Sequence, residues 1–170
     1  MSRLWIDRRF AFDFPVEIHP MLIERLRGTP ARLEERLTGL SHEVPRRRPT
    51  EGWSIQEHAG HLIEVEALFD GRLDEFEQGL SELRPADMSN RRTEEKNFRN
   101  AYLPDILAGF RRVRGDFVAR LEHWPAEHFD RVAHHPRLHR PMRACDMLFF
   151  MAEHDDHHLA RISELMRVLT

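Results

Sequence analysis

An apolar residue returns every three or four positions along four long stretches of this chain, with proline or glycine punctuating the ground between them. That rhythm turns one stripe of each stretch toward a common interior, which favours helices packed on helices. The first stretch, MLIERLRGTPARLEERLTGL after Pro20, keeps Leu22, Leu26, Leu33, Leu37 and Leu40 at helical spacing. Gly28 and Pro30 interrupt it, since proline lacks an amide hydrogen and crowds the preceding turn, so a kinked helix or two short ones is expected. The second stretch opens at Ser54 with Glu57 three residues on, a capping box, and should run to about Gly79. Residues 80–102 are polar and irregular, with a short helix expected after Thr93. Pro104 suits a first helical turn and starts the third stretch, with Ile106, Phe110, Val113, Phe117 and Leu121 on one face and an end before Pro125. A fourth long helix follows Pro141, from about Met142 to about Val168. No convincing period-two alternation appears, so the expected fold is an all-α four-helix bundle with long inter-helix loops, in a single domain over residues 1–170.

At 170 residues the chain can bury a real core without a disulfide or a metal staple. With 41% apolar and 32% charged residues it reads as an ordinary globular protein, and its formal charge of −3 is mild. The densest basic run, Arg46 to Arg48 between Pro45 and Pro49, is a solvated turn and no nucleic-acid stripe. The single cysteine, Cys145, forbids an internal disulfide and is expected to be a small packed residue. Neither a membrane span nor the apolar core of a signal peptide is present, so a cytoplasmic protein is expected. The opening segment carries Trp5, Phe10, Phe12 and Phe14 between charges and should lie over the surface with aromatic anchors.

The chemistry concentrates in the last helix, at EHDDHHLARI. At ~100° per residue, Met147, Met151, Ile162, Leu165 and Leu169 define one narrow stripe, and His154 and His158 fall inside it. Two imidazoles at i, i+4 on an interior face are how helical histidine pairs hold a transition metal. The competing reading is a pair of core histidines, each of which must then find a hydrogen-bond partner. Asp155 lies at the edge of the stripe, while Asp156 and His157 should be solvated. The second helix offers His58 and His61. Periodicity favours His58 as the interior residue, with His61 on the flank, yet a metal in a groove could be reached from either.

WSIQEHAGHLIEVE, followed toward the C-terminus by MRACDMLFFMAEHDDHHLARI, resembles the DinB-like (DinB/YfiT) superfamily of metal-binding four-helix bundles. RFAFDFPVE, LRGTPARLEERLTGL and FRRVR extend the resemblance over nearly the whole chain. A histidine eight residues after Trp53, with a terminal H-x-x-x-H helix, is its most specific element. The resemblance implies that His61, His154 and His158 are the metal ligands, with solvent completing the coordination, and that His58 is a neighbour. Three neutral imidazoles and an open position suit zinc first, and nickel or iron as well.

An open position lets a bound water act as nucleophile, or lets a low-molecular-weight thiol coordinate as thiolate and attack an electrophile. The resemblance implies a metal-dependent enzyme, a thiol S-transferase or a hydrolase, acting on a small molecule, with a homodimer as the expected assembly. The alternative is a non-enzymatic, metal-containing binding or stress-response module. Glu64, three residues after His61, is the candidate base or partner of a ligand, against a plain solvated glutamate. Asp155 is the candidate for orienting an imidazole, against an inter-helix hydrogen bond. Arg114 could pair with a carboxylate on another helix or meet an anionic substrate. The loop histidines His134, His135 and His139 are read as surface residues.

Overall fold

The computed structural model describes residues 5–170. The helices are α1 (His19–Arg27), α2 (Thr29–Leu37), α3 (Ile55–Glu77), α4 (Arg91–Glu95), α5 (Leu103–Glu122) and α6 (Ala144–Leu169). Helices α1 and α2 together make the first member of the bundle, broken at Gly28 as Pro30 requires. Helix α3 packs on α5 and α6, α1 on α5 and α6, and α2 on α5. Ser54 caps α3 with the capping box complete: its hydroxyl accepts from the Glu57 amide while the Glu57 carboxylate accepts from the Ser54 amide.

One expectation is corrected. The fold is all-α and related to a four-helix bundle, but it also carries a β-hairpin of β1 (Val132–His135) and β2 (Arg140–Arg143). Two four-residue strands are too short to show a period, and β2 contains Pro141, which donates no ladder hydrogen bond. The hairpin also docks residues 81–83, through His134 N–H to Ser81 O at 2.8 Å and Leu83 N–H to His134 O at 3.0 Å. Helix α6 accordingly starts at Ala144, two residues later than expected.

The apolar core divides into two clusters. One gathers Leu22, Leu26, Phe69, Leu73, Phe117, Met147 and Met151, and the half-buried Trp5, Phe10, Phe12 and Phe14 pack against it as the expected anchors; residues 1–4 lie outside the described residues. The other gathers Leu33, Leu37, Ile55, Leu62, Phe110, Leu159 and Ile162. Along every bundle member the boundary between the clusters is polar: Thr29, His61 and Glu66, Arg114, and His154 to His158.

Arg114 ties that layer together. Its five N–H groups make five contacts: Nε and Nη2 to Glu66 at 2.9 and 3.1 Å, Nη1 and Nη2 to Asp155 at 2.5 and 3.2 Å, and Nη1 to Leu26 O at 3.1 Å. Leu26 O is the carbonyl that an unbroken helix would give to residue 30, and Pro30 has no hydrogen to offer it. Thr29 Oγ1 donates to Asp155 at 2.9 Å, so all four bundle members meet at one guanidinium.

One guanidinium cannot neutralise two buried carboxylates. Burial, reinforced by Asp155 and outweighing the pull of Arg114, pushes Glu66 up to about 7. Glu66 thus holds its proton more tightly in the folded chain than in the unfolded one, where its ordinary value is 4.5. Its contribution to stability is full below that value and is lost as pH rises through the folded pKa. Buried histidines act with the opposite sign, since burial holds His58 at about 3 and His61 at about 4, below the ordinary 6.5. The Glu66 effect is therefore read as a difference between two proteins. Relative to Glu66→Gln, the wild type is expected to lose on the order of a few kcal/mol between about pH 5 and about pH 8 in urea unfolding. Parallel curves for the two proteins would contradict it.

Candidate metal centre

The first two turns of α3 are buried on every side, from Ile55 to Leu62. His58 and His61 are therefore both interior, and the periodic preference for His58 over His61 dissolves. Trp53 lies beside both rings, with centroid separations of 5.5 Å to His58 and 4.9 Å to His61.

His61 is held from behind. Its Nδ1 shares a 3.0 Å hydrogen bond with Thr93 Oγ1, a buried hydroxyl of α4. The segment carrying Thr93 is seated by three features of α3 and its N-terminal flank. A Cβ on Gly60 would fall 2.1 Å from the Phe98 ring, so only glycine admits that ring. Gln56 Nε2 donates to the carbonyls of Phe98, Arg99 and Ala101 at 2.7, 3.3 and 3.1 Å. Trp53 Nε1 donates to Glu94 at 3.1 Å. Asn90 and Asn97, both with positive φ, turn the chain into and out of α4, a conformation asparagine tolerates better than most residues.

On α6, His154 and His158 stand one turn apart and face each other through Nε2 atoms 3.2 Å apart. His158 Nδ1 lies 2.9 Å from His58 Nδ1, which puts His58 behind His158. One ring nitrogen each of His61, His154 and His158 lies within 4.8 Å of the other two, all three residues are buried, and no fourth ligand-type side chain joins the group among the described residues. Burial lowers all of their pKa values, to about 4 for His61 and well below the ordinary value for His154 and His158, with the charges of the neighbouring histidines adding to the shift on His154 and His158. The imidazoles are neutral at physiological pH, the state in which they donate lone pairs.

The donor set can be tested against an ion. His154 Nδ1 is buried without a hydrogen-bond partner among the described residues. With its proton on Nδ1, the lone pair on Nε2 faces His158; with the proton on Nε2, the Nδ1 lone pair is stranded. A cation between the Nε2 atoms removes the first conflict. Two imidazoles on a tetrahedral zinc ion, at about 2.0–2.1 Å each, stand about 3.3–3.4 Å apart, close to the observed spacing. The residues present fit a divalent transition metal.

The other expected residues separate. Asp155 is fully buried and engaged by Arg114 and Thr29, the inter-helix alternative, and makes no hydrogen bond to an imidazole. Asp156 is half-buried, not solvated, because Arg25 and Arg32 pair with it. His157 is half-buried against Trp5 at 5.8 Å. Glu64 is half-buried and has no hydrogen bond to an imidazole. The surface assignment of the loop histidines holds for His134 and His139 and fails for His135, which is only 2% exposed because the hairpin's alternation turns it inward. Cys145 is packed, and burial pushes its thiol up to about 11. Sequence pattern places Thr93 only as the residue before a short helix; it stands inside α4 (Arg91–Glu95), and nothing in its sequence neighbourhood marks it as the partner of His61.

The model of the DinB superfamily matches residues 25–162, which include every member of the histidine cluster. The chain belongs to the DinB superfamily. A solved structure from Bacillus subtilis, YfiT, described as a probable metal-dependent hydrolase with an unusual four-helix bundle topology, superposes with a TM-score of 0.81. The two chains are 22% identical, and the match covers 94% of this chain and 92% of YfiT. No curated protein matches the chain. No helix among the described residues is long and apolar enough to cross a membrane.

Proposed function

We propose that this DinB-superfamily chain is a metal-dependent hydrolase whose ion is held by His61, His154 and His158. The observation that carries the reading is the group of three neutral, buried ring nitrogens with no fourth protein ligand among the described residues. A divalent ion bound there, zinc in the first place, supplies a Lewis acid with a position left for water or substrate. Thr93 fixes the ring plane of His61: its Oγ1 accepts from Nδ1–H and leaves Nε2 to face the centre. His58 does the same for His158, accepting from its Nδ1–H and keeping its own proton on Nε2. Trp53 and Trp5 wall the cluster, Trp5 with its ring centroid 5.1 Å from that of His154, and exclude bulk water. The buried carboxylates of α3 are committed, Glu57 to Arg48, Glu66 to Arg114 and Glu75 to Arg84. Glu64, one turn past His61 and in no ion pair among the described residues, is the carboxylate assigned here to proton transfer.

The metal-loaded chain is expected to hydrolyse members of a panel of activated esters and amides, and to lose that turnover on chelation and in His158→Ala. Turnover that demands an added low-molecular-weight thiol would replace water by thiolate as the nucleophile and make the chain an S-transferase. Turnover that survives chelation would refute the metal reading.

A further inference from the structure

Arg114 spends all five of its donors inside the protein, and two other guanidinium groups of the interior do not. Arg72, on α3, is only 1% exposed and forms no ion pair among the described residues. Its Nε and Nη2 donate to Arg84 O at 3.2 and 2.9 Å, and its Nη1 lies 3.2 Å from His135 Nε2. Three contacts leave two of its five N–H groups without a partner. The nearest carboxylate, Glu75, is taken by the Arg84 side chain at 2.5 Å and the Arg84 amide at 2.8 Å. Arg137, half-buried at the tip of the hairpin, makes no hydrogen bond or ion pair among the described residues, and its Nη2 is buried and unpartnered.

Both groups adjoin the histidine cluster across one layer of aromatic rings. Arg137 Cζ stands 5.7 Å from the Trp5 ring and 5.3 Å from the Phe150 ring, and Trp5 is in edge contact with His154. Arg72 Cζ stands 6.0 Å from the Phe69 ring, which in turn lies 6.3 Å from His154. A buried cation and a half-buried one without a counter-ion are costly, and a fork of free N–H groups matches the oxygens of a planar or tetrahedral anion.

The geometry points to an oxyanion subsite formed by Arg72 and Arg137 beside the three histidines, which takes the carboxylate or phosphate of the small-molecule substrate. This rests on the proposed function for its substrate, but the cations themselves do not depend on a metal. Burial, with Arg137 and Arg84 nearby and Glu75 opposing, holds the Arg72 guanidinium down at about 10, and a bound anion would relieve that.

The test uses the full chain, metal-loaded and chelator-treated, titrated with acetate and separately with inorganic phosphate against chloride at constant ionic strength. Binding of at least one oxyanion, with a rise in Tm, is expected in both states of the protein. Arg137→Gln and Arg72→Lys should each weaken it by roughly tenfold or more, the loss of a charge-assisted hydrogen bond or its geometry. Without added oxyanion, Arg137→Gln should melt close to wild type, because removing an uncompensated charge offsets the loss of its contacts with the Trp5 and Phe150 rings, and no hydrogen bond or ion pair is broken. Preference for acetate assigns a carboxylate substrate, and preference for phosphate a phosphorylated one. Binding by neither anion, binding unchanged in Arg137→Gln, or binding lost on chelation would overturn the subsite; the last would place the anion on the metal. A chain that takes up no metal yet binds an oxyanion through Arg137 would refute the proposed function and leave the subsite standing.

Discussion

Alanine at any one of His61, His154 and His158 is expected to strip the metal from the full chain while the bundle stays folded. Wild type should carry about one ion per chain by elemental analysis, and each variant essentially none, because two imidazoles and solvent are a far poorer donor set than three. The fold should survive because the two apolar clusters lie on either side of the polar layer and do not pass through it. The three variants should nevertheless differ in stability. His158→Ala strands both His58 Nδ1 and His154 Nε2, whereas His61→Ala strands only the Thr93 hydroxyl. Each buried polar group left unpaired costs about 1–3 kcal/mol, so His158→Ala should be the least stable of the set. Added metal should raise the Tm of wild type, by about 2.7 kcal/mol of stability at a hundredfold excess over Kd, and leave the variants unmoved. Retention of metal by all three variants would defeat the ligand assignment.

The second large effect is expected at Arg114. Arg114→Met keeps most of the side-chain volume but leaves Glu66 and Asp155 buried beside one another without their cation, and takes from Leu26 O its side-chain donor. Breaking such a buried charge network by removing one partner costs roughly 3–5 kcal/mol, measurable as a shift in the urea midpoint. Arg114→Lys should recover only part of this, because an ammonium offers three donors where five acceptor contacts exist. A variant as stable as wild type would show that the network contributes nothing net.

Much of the architecture was legible because it follows from backbone chemistry close in sequence. Pro30 dictated the break between α1 and α2, and Ser54 with Glu57 dictated where α3 begins. The pairing of His154 with His158 was legible from spacing, since four residues on a helix place side chains one above the other. The choice between His58 and His61 was not. A helical wheel needs an exposed face to orient it, and the first two turns of α3 have none; only the resemblance to the DinB family pointed to His61. Thr93 and the hairpin were hidden for a related reason. Thr93 meets His61 from a separate short helix, and Arg72 meets His135 from across the fold, contacts that local pattern does not encode.

The break in the first helix reaches further than the helix itself. Because Pro30 withholds one hydrogen, Leu26 O is available to Arg114, and Arg114 grips Asp155, the immediate neighbour of His154. Helix α6 therefore cannot turn about its own axis without tearing Asp155 from a buried, fully subscribed socket. The angular setting of His154 and His158 is fixed by the protein itself, so an ion held as proposed would have to accept the geometry it meets. In a set of imidazoles that many transition metals would bind, that rigidity, together with what the cell supplies, is what remains to discriminate among them.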